Sequence, residues 1–105
     1  MTGFAELFLQ FLPTDRGGRR SPISLSADAV APYRPHLRVV DGDETLLGVE
    51  FVDGPDEPVS PGMKTHATVR FLYEPEICYD ALNVGARFEL LEGARPVAVG
   101  EVTRR

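Results

Sequence analysis

The chain has 105 residues, of which 43% are hydrophobic, and its 11 Lys and Arg against 16 Asp and Glu give a formal net charge of −5. This length suits one domain with a single core, and the apolar fraction argues against disorder. No stretch approaches the roughly 18 apolar residues of a membrane-spanning helix, and residues 4–12 lack the basic region and cleavage site of a signal peptide, so we expect a cytoplasmic chain with no membrane partner.

The charge is distributed unevenly. Residues 1–38 carry five Arg against three acids, residues 39–80 carry two basic residues against ten acids, and residues 81–105 carry four Arg against three acids. Cys78 is the only cysteine. It excludes an internal disulfide and a Cys-rich zinc site, and we interpret it as a small buried hydrophobe.

The first predicted elements are three strands. Gly and Pro divide the chain into short segments of strand character, which is typical of an all-β fold. Residues 4–12 form the first strand. Residues 37–40 and 46–52 flank the sequence DGDE at 41–44, so we expect an antiparallel hairpin whose turn takes its positive φ at Gly42.

Three further strands are predicted in the second half. The sequence SPGM at residues 60–63 is typical of a tight turn. After it, apolar and polar residues alternate over residues 64–73, which indicates a strand with one buried face. Residues 88–91 and 97–102 flank residues 92–96 and form the last hairpin.

Six strands are too many for one flat sheet with protected edges, so we expect closure into a small barrel. The fold class is therefore all-β, with residues 1–105 forming a single six-stranded antiparallel β-barrel domain. The two longest irregular loops are expected at residues 21–32 and 53–58.

Catalytic motifs are absent from the sequence. It contains no phosphate-binding loop and no GxSxG or HExxH pattern. His36 and His66 fall on different predicted strands without a carboxylate at metal-ligand spacing. We therefore expect no enzyme activity, no metal and no cofactor. Paired carboxylates or a calcium site would have to come from an acidic run that we interpret as solvated turns: Asp41, Asp43, Glu44, Glu50, Asp53, Asp56 and Glu57.

Three short blocks occur in a recognisable order: GGRRSP at 17–22, YRPHL at 33–37 and GARFELLEG at 85–93, which runs on to Gly100. Together with Pro61-Gly62 they resemble the C-terminal β-barrel, the third domain, of the elongation factor Tu family. In that family a strand ends in GGR and [TS]P, the next opens with YRPQF, a PG turn follows, and G-x-RF-x-x-REG-x-x-T-V-G-x-G closes the domain. The resemblance covers residues 4–104 and implies a Greek-key barrel of a bacterial translation-factor type.

The resemblance also implies a binding face. In the family, the face around GGR, the residue after YRP and the EG pair contacts the T-stem backbone of aminoacyl-tRNA. The matching positions form the candidate face: Gly17, Gly18, Arg19, Arg20, His36, Glu92 and Gly93. Five other residues of the blocks are expected to have a structural role: Tyr33, Arg34, Pro35, Pro61 and Gly62. Tyr33 would be an aromatic plug with Arg34 stacked on it, and Arg34 could also pair with a carboxylate. Pro61 and Gly62 would form a tight turn.

The chain departs from the family pattern at several positions. Leu91 replaces the basic residue before EG, His36 replaces Gln, and residues 94–97 read ARPV in place of a GRTV type. Residues 22–33 form a longer loop than in the family. Residues 1–105 contain no counterpart of the GTPase domain or the middle barrel, so we expect no GTP binding.

Two functions remain open at the level of sequence. The first is a stand-alone, non-enzymatic module whose partner is another protein. The alternative is binding of the tRNA or RNA backbone through Arg19, Arg20, His36 and Glu92. A continuous basic patch would favour RNA, whereas arginines neutralised by neighbouring acids would favour a protein partner.

Overall fold

The computed structural model describes residues 3–105 and confirms the all-β class. In this part of the chain, the regular elements are six strands and one short 3-10 turn at Thr14–Arg16. The strands are β1 (Phe4–Phe11), β2 (His36–Val39), β3 (Leu47–Asp53), β4 (Lys64–Phe71), β5 (Arg87–Glu92) and β6 (Arg95–Arg104). The same part of the chain contains no helix long and apolar enough to cross a membrane.

The six strands close into a barrel in the order β1-β4-β3-β2-β5-β6, and every neighbouring pair is antiparallel. The predicted closed antiparallel barrel is therefore confirmed. β1 pairs with β4 over seven residues, whereas β2 and β3 pair only at His36 with Gly48 and at Leu37 with Leu47. The β2–β3 seam is consequently the shortest in the barrel.

Alternation along the strands fills the barrel interior. In β1 every second residue is buried, from Ala5 to Phe11. Because successive side chains of a strand point to opposite faces, the apolar positions of all six strands meet in one core. Its largest fully buried side chains include Tyr79, Phe11, Phe71, Phe88, Leu7, Leu9, Leu37 and Leu90.

The tight turns agree with the sequence at residues 60–63 and differ at residues 41–42. Gly62 has φ 86°, and the Met63 amide donates to the Ser60 carbonyl at 3.1 Å, as expected of the predicted turn. Gly93 has φ 63° in the last hairpin. In the β2–β3 connection, however, the positive φ of 63° belongs to Asp41 and not to Gly42, because Asp is one of the few L-residues that adopts the left-handed region readily.

The strand boundaries needed two corrections. β6 begins at Arg95, so the last hairpin turn contains only two residues in place of the predicted 92–96. β4 ends at Phe71, and Tyr73 is exposed in the loop that follows. The alternation of apolar residues continues to Tyr73 in the sequence, but the chain leaves the sheet before it.

The longest irregular segments are residues 12–35, which include the predicted loop 21–32, and residues 72–86; the predicted loop 53–58 falls mostly within the shorter connection 54–63. The second segment was missed because its apolar residues follow no period. It nevertheless closes one end of the barrel, since Tyr79 and Leu82 are fully buried and the Tyr79 hydroxyl donates to the Gly48 carbonyl at 2.6 Å.

The single cysteine also needs a correction. Cys78 is exposed, although the sequence analysis expected a buried hydrophobe. Its neighbours in the loop explain the difference: Ile77 packs against the core and Tyr79 is buried. The loop is anchored by the residues on either side, which leaves Cys78 at the surface.

The connections lie at two ends of the barrel. The β1–β2 and β3–β4 connections and the β5–β6 hairpin share one end, which we call the Glu92 end. The β2–β3 and β4–β5 connections share the other, which we call the Val39 end, where Val39 pairs with Phe88. At the Glu92 end, a bridge between Ile23 and Val59 joins the two long connections.

Candidate functional site

Three residues of the resembling blocks meet at the Glu92 end. Arg19, in the β1–β2 connection, forms an ion pair with Glu92, the last residue of β5. The Tyr33 hydroxyl donates to the same carboxylate oxygen of Glu92. The Arg19 guanidinium also lies over the Tyr33 ring, 5.8 Å from its centroid. Residues 73 positions apart in the chain are thus joined by one carboxylate.

Tyr33 is held in place from both sides. Its ring stacks on Phe51 with the centroids 5.4 Å apart, and its carbonyl accepts a hydrogen bond from the Phe51 amide at 2.9 Å. Burial raises the pKa of the Tyr33 hydroxyl, and the hydrogen bond to Glu92 raises it further. The hydroxyl therefore stays protonated at neutral pH and remains a donor to Glu92.

The glycines of the first block allow the chain to pass close to the end of β1. A Cβ added at Gly18 would lie 1.9 Å from the Leu12 carbonyl oxygen, so no side chain fits there. Gly17 has φ 90°. The Arg95 guanidinium binds the carbonyl oxygens of both glycines, at 3.2 Å from Gly17 and 2.6 Å from Gly18.

The remaining members of the candidate face take different positions. Gly93 follows Glu92 directly and is exposed in the hairpin turn. His36 opposes Leu91 across the β2–β5 pair, which places it one position along from Glu92. Arg20 is exposed and, among residues 3–105, it has no acidic side chain within 4.0 Å. The structure therefore joins Arg19 to Glu92 but not Arg20.

Arg34 has a different partner from the one expected of a stacked arginine, since Arg19 and not Arg34 lies over Tyr33. The Arg34 Nε donates to Oε2 of Glu50 at 2.6 Å, and the Arg70 Nη2 donates to Oε1 of Glu50 at 2.6 Å. Glu50 is only 7% exposed. The hydrogen bonds from Arg34 and then Arg70 lower the pKa of the Glu50 carboxyl.

From the sequence, Arg34 could pair with a carboxylate, but no partner was identified. Glu50 alternates with Val49 and Phe51, which are both buried in the core, so it lies on the outer face of β3. Arg70 opposes it directly on β4. The signal in the sequence was Glu50 between two apolar residues of one strand and Arg70 between two apolar residues of the next.

Pro35 and the Pro61-Gly62 turn contribute backbone hydrogen bonds to the neighbouring strands. The Pro35 carbonyl accepts a hydrogen bond from the Val49 amide at 3.1 Å, so residues 33–35 run beside β3 before β2 begins. Pro61-Gly62 forms the turn before β4, and the Gly62 amide donates to the Phe11 carbonyl at 3.1 Å. This turn therefore closes over the end of β1.

The arginines of the first third do not form a continuous cationic patch. Arg19, Arg34 and Arg38 each have a carboxylate partner, and the Arg38–Glu89 distance is 2.8 Å. Arg16 and Arg20 are exposed, and neither has an acidic partner within 4.0 Å in the described part of the chain. Arg19 and Arg38 are therefore each balanced by a carboxylate of their own, whereas Arg34 shares the single charge of Glu50 with Arg70.

The histidines lie on separate strands, His36 on β2 and His66 on β4. The His66 ring packs against Phe8 with the centroids 5.0 Å apart. Within residues 3–105, no group of three or more His, Cys, Asp or Glu side chains is arranged to hold a metal ion.

A scan against models of known protein families finds no model that matches this chain. The likeness to the elongation factor Tu barrel therefore rests on the sequence blocks, and its functional content is a proposal.

Proposed function

We propose that this chain is a non-enzymatic protein-interaction module, built on a barrel of the elongation factor Tu third-domain type. The docking face in this proposal is the candidate face at the Glu92 end. Arg19, Tyr33 and Glu92, one residue from each of the three blocks, meet at this end, which supports that assignment. The observation that carries the proposal is the pairing of Arg19 with Glu92, which balances the charge of Arg19 within the candidate face.

Phosphate binding depends on the positive charge of guanidinium groups as well as on their N–H donors. A carboxylate paired with an arginine cancels that charge locally and repels an approaching phosphate, so the pair weakens phosphate binding although other N–H donors stay free. The net charge of −5 adds a repulsive field over the rest of the surface. A rigid, charge-balanced face is better suited to a protein surface than to an RNA backbone.

Affinity capture with the full chain tests this proposal. The test variant exchanges the pair, Arg19→Glu with Glu92→Arg. It keeps the net charge and the ion pair of the wild-type chain but swaps the positions of the two charges. We expect the wild-type chain to retain protein partners from nuclease-treated lysate and the exchanged variant to lose them. Equal retention by both chains, or capture that disappears with nuclease treatment, would contradict the proposal.

The alternative function is binding of the tRNA or RNA backbone through Arg19, Arg20, His36 and Glu92. The exposed and unbalanced guanidinium of Arg20, with Arg16 nearby in the chain, is the observation in its favour. This alternative predicts an affinity for tRNA that falls steeply as salt rises and that is lost when Arg19 and Arg20 are both changed to Ala.

A further inference from the structure

A groove opens at the Val39 end because two strands separate there. The β2–β3 pairing stops at Leu37 with Leu47, so Val39 has no paired residue on β3. The loop of residues 72–86 lies across the gap and leaves a groove of about 240 Å³. Val39, Leu47 and Ile77 provide its apolar walls, and Asp43 and Glu76 stand among its lining residues.

Apolar side chains continue outward from this groove. An adjoining depression shares Val39 and Asp43 with it and includes Val40. Val40 is 48% exposed, Leu46 is 44% exposed and Tyr73 is 48% exposed, and all three belong to the two connections at this end. Exposed apolar side chains beside an apolar groove that is bordered by charge are typical of an interaction site.

The two charged residues that line the groove, Asp43 and Glu76, are both acidic. Basic residues lie farther out at this end: Arg38 in the adjoining depression is paired with Glu89, and Arg105 donates to the Tyr79 and Leu82 carbonyls. Residues 40–46 and 72–81 contain six acids and no Lys or Arg. None of the six forms an ion pair with any residue from 3 to 105. The Thr45 amide donates to Asp43 at 3.1 Å, and this hydrogen bond lowers the pKa of the Asp43 carboxyl. The acids are Asp41, Asp43, Glu44, Glu74, Glu76 and Asp80.

We propose that this groove binds a basic segment of a partner polypeptide, with an aliphatic side chain packed on Val39, Leu47 and Ile77 and flanking Lys or Arg residues beside Asp43 and Glu76. Charge complementarity selects this occupant. A second copy of the chain would bring a net charge of −5 toward the same acids, which repels it. The groove is also smaller than the roughly 300–1,000 Å³ of small-molecule sites, whereas a single side chain fits a groove of this size.

This inference goes beyond the proposed function, because it concerns the opposite end of the barrel. β5 runs from Arg87, beside the groove end, to Glu92 on the candidate face. A protein with both surfaces in use can contact two partners, or two parts of one partner, at the same time.

The experiment is an NMR titration of the full, ¹⁵N-labelled chain with a synthetic ten-residue peptide that carries one central Leu between Lys residues. We expect amide shifts at residues 39–47 and 73–81 and weaker binding as salt rises. The groove variant is Asp43→Asn with Glu76→Gln. Its matched control is Asp56→Asn with Glu57→Gln, which removes the same charge from exposed residues at the Glu92 end.

The groove variant should weaken peptide binding five- to tenfold, and the control by less than twofold. Replacing the central Leu of the peptide by Ser should weaken binding at least tenfold, as expected for the loss of a buried aliphatic side chain. Both results are needed, because a salt-dependent affinity by itself would reflect only the acidity of the chain.

Several outcomes would overturn the groove proposal. These are shifts centred on residues 53–57 or spread over the whole chain, equal losses in the two variants, a Ser peptide that binds like the Leu peptide, and no binding at millimolar peptide. The exchanged Arg19→Glu and Glu92→Arg variant separates the two proposals. If it alone loses the peptide, the candidate face binds the peptide and the groove does not.

Discussion

The bridge from Arg34 and Arg70 to Glu50 predicts a coupled loss of stability. We consider Arg34→Met, Arg70→Met and the double variant, because Met keeps the aliphatic cover of the Arg stem while it removes the guanidinium. The Glu50 side chain is 9% exposed, whereas the side chains of Arg34 and Arg70 are 59% and 39% exposed. The buried partner is therefore the carboxylate.

Each single variant leaves Glu50 with one guanidinium at 2.6 Å. A hydrogen bond to a charged group contributes roughly 1.5–3 kcal/mol, and the exposure of each Arg reduces this to about 1 kcal/mol. The double variant leaves a buried carboxylate without a partner, which costs about 3 kcal/mol. The double loss should therefore exceed the sum of the single losses by about 1 kcal/mol.

Urea unfolding followed by far-UV circular dichroism measures these losses. Adding Glu50→Gln to the double variant should restore part of the stability, because the buried charge is then removed. Strict additivity of the two single variants, or a triple variant no more stable than the double, would refute the bridge as a cooperative unit.

The same bridge determines whether the free energy of unfolding rises or falls with pH. The two Arg lower the pKa of Glu50 in the folded chain, so its stabilising contribution is complete above the unfolded pKa of about 4.3 and is lost as pH falls through the folded value. In the double Met variant both donors that lower the pKa of Glu50 are gone, so this pH-dependent contribution disappears. The difference in the free energy of unfolding between the wild-type chain and the variant should therefore shrink as pH falls below about 4.3.

Three further predictions concern the ends of the barrel. Tyr79→Phe should lower the free energy of unfolding by about 1 kcal/mol, since the hydroxyl no longer donates to the Gly48 carbonyl at 2.6 Å or accepts from the Tyr73 amide at 3.2 Å, while the Leu72 amide still donates to Gly48. Urea unfolding measures this, and an unchanged midpoint would contradict it. Gly18→Ala should cost about 3 kcal/mol by the same assay, because its Cβ would lie 1.9 Å from the Leu12 carbonyl oxygen, and a loss below 1 kcal/mol would show that this contact relaxes. Exposed Cys78 should react with a thiol reagent in the native chain nearly as fast as in urea, whereas strong native protection would indicate burial.

The sequence was sufficient for the barrel but not for its ends. Alternating burial from Ala5 to Phe11 and the turn at Gly62 were readable because period and turn chemistry are local properties. The position of residues 72–86 was not readable, because Tyr79 is buried through a contact with Gly48, 31 residues away. Period-based reasoning contains no information on such a contact.

The candidate site was likewise only partly predictable from the sequence. The resembling blocks brought Arg19 and Glu92 into one proposed face, and the structure joins them directly. The blocks gave no indication that Arg34 and Arg70 share Glu50, or that Arg38 pairs with Glu89. Whether a charge is free or paired depends on the neighbouring strand, and that neighbour is known only from the fold.

The most direct test of the account is fluorescence anisotropy of labelled tRNA at 50 mM salt, measured with the wild-type chain and with a variant in which Glu50, Glu89 and Glu92 are changed to Gln. In the wild-type chain these three carboxylates form ion pairs with Arg34, Arg38 and Arg19. We infer that these ion pairs keep the wild-type chain from binding RNA. This inference predicts no saturable binding by the wild-type chain up to 100 µM, and measurable, salt-dependent binding by the variant. Saturable binding by the wild-type chain that disappears in Arg19→Ala with Arg20→Ala would contradict it.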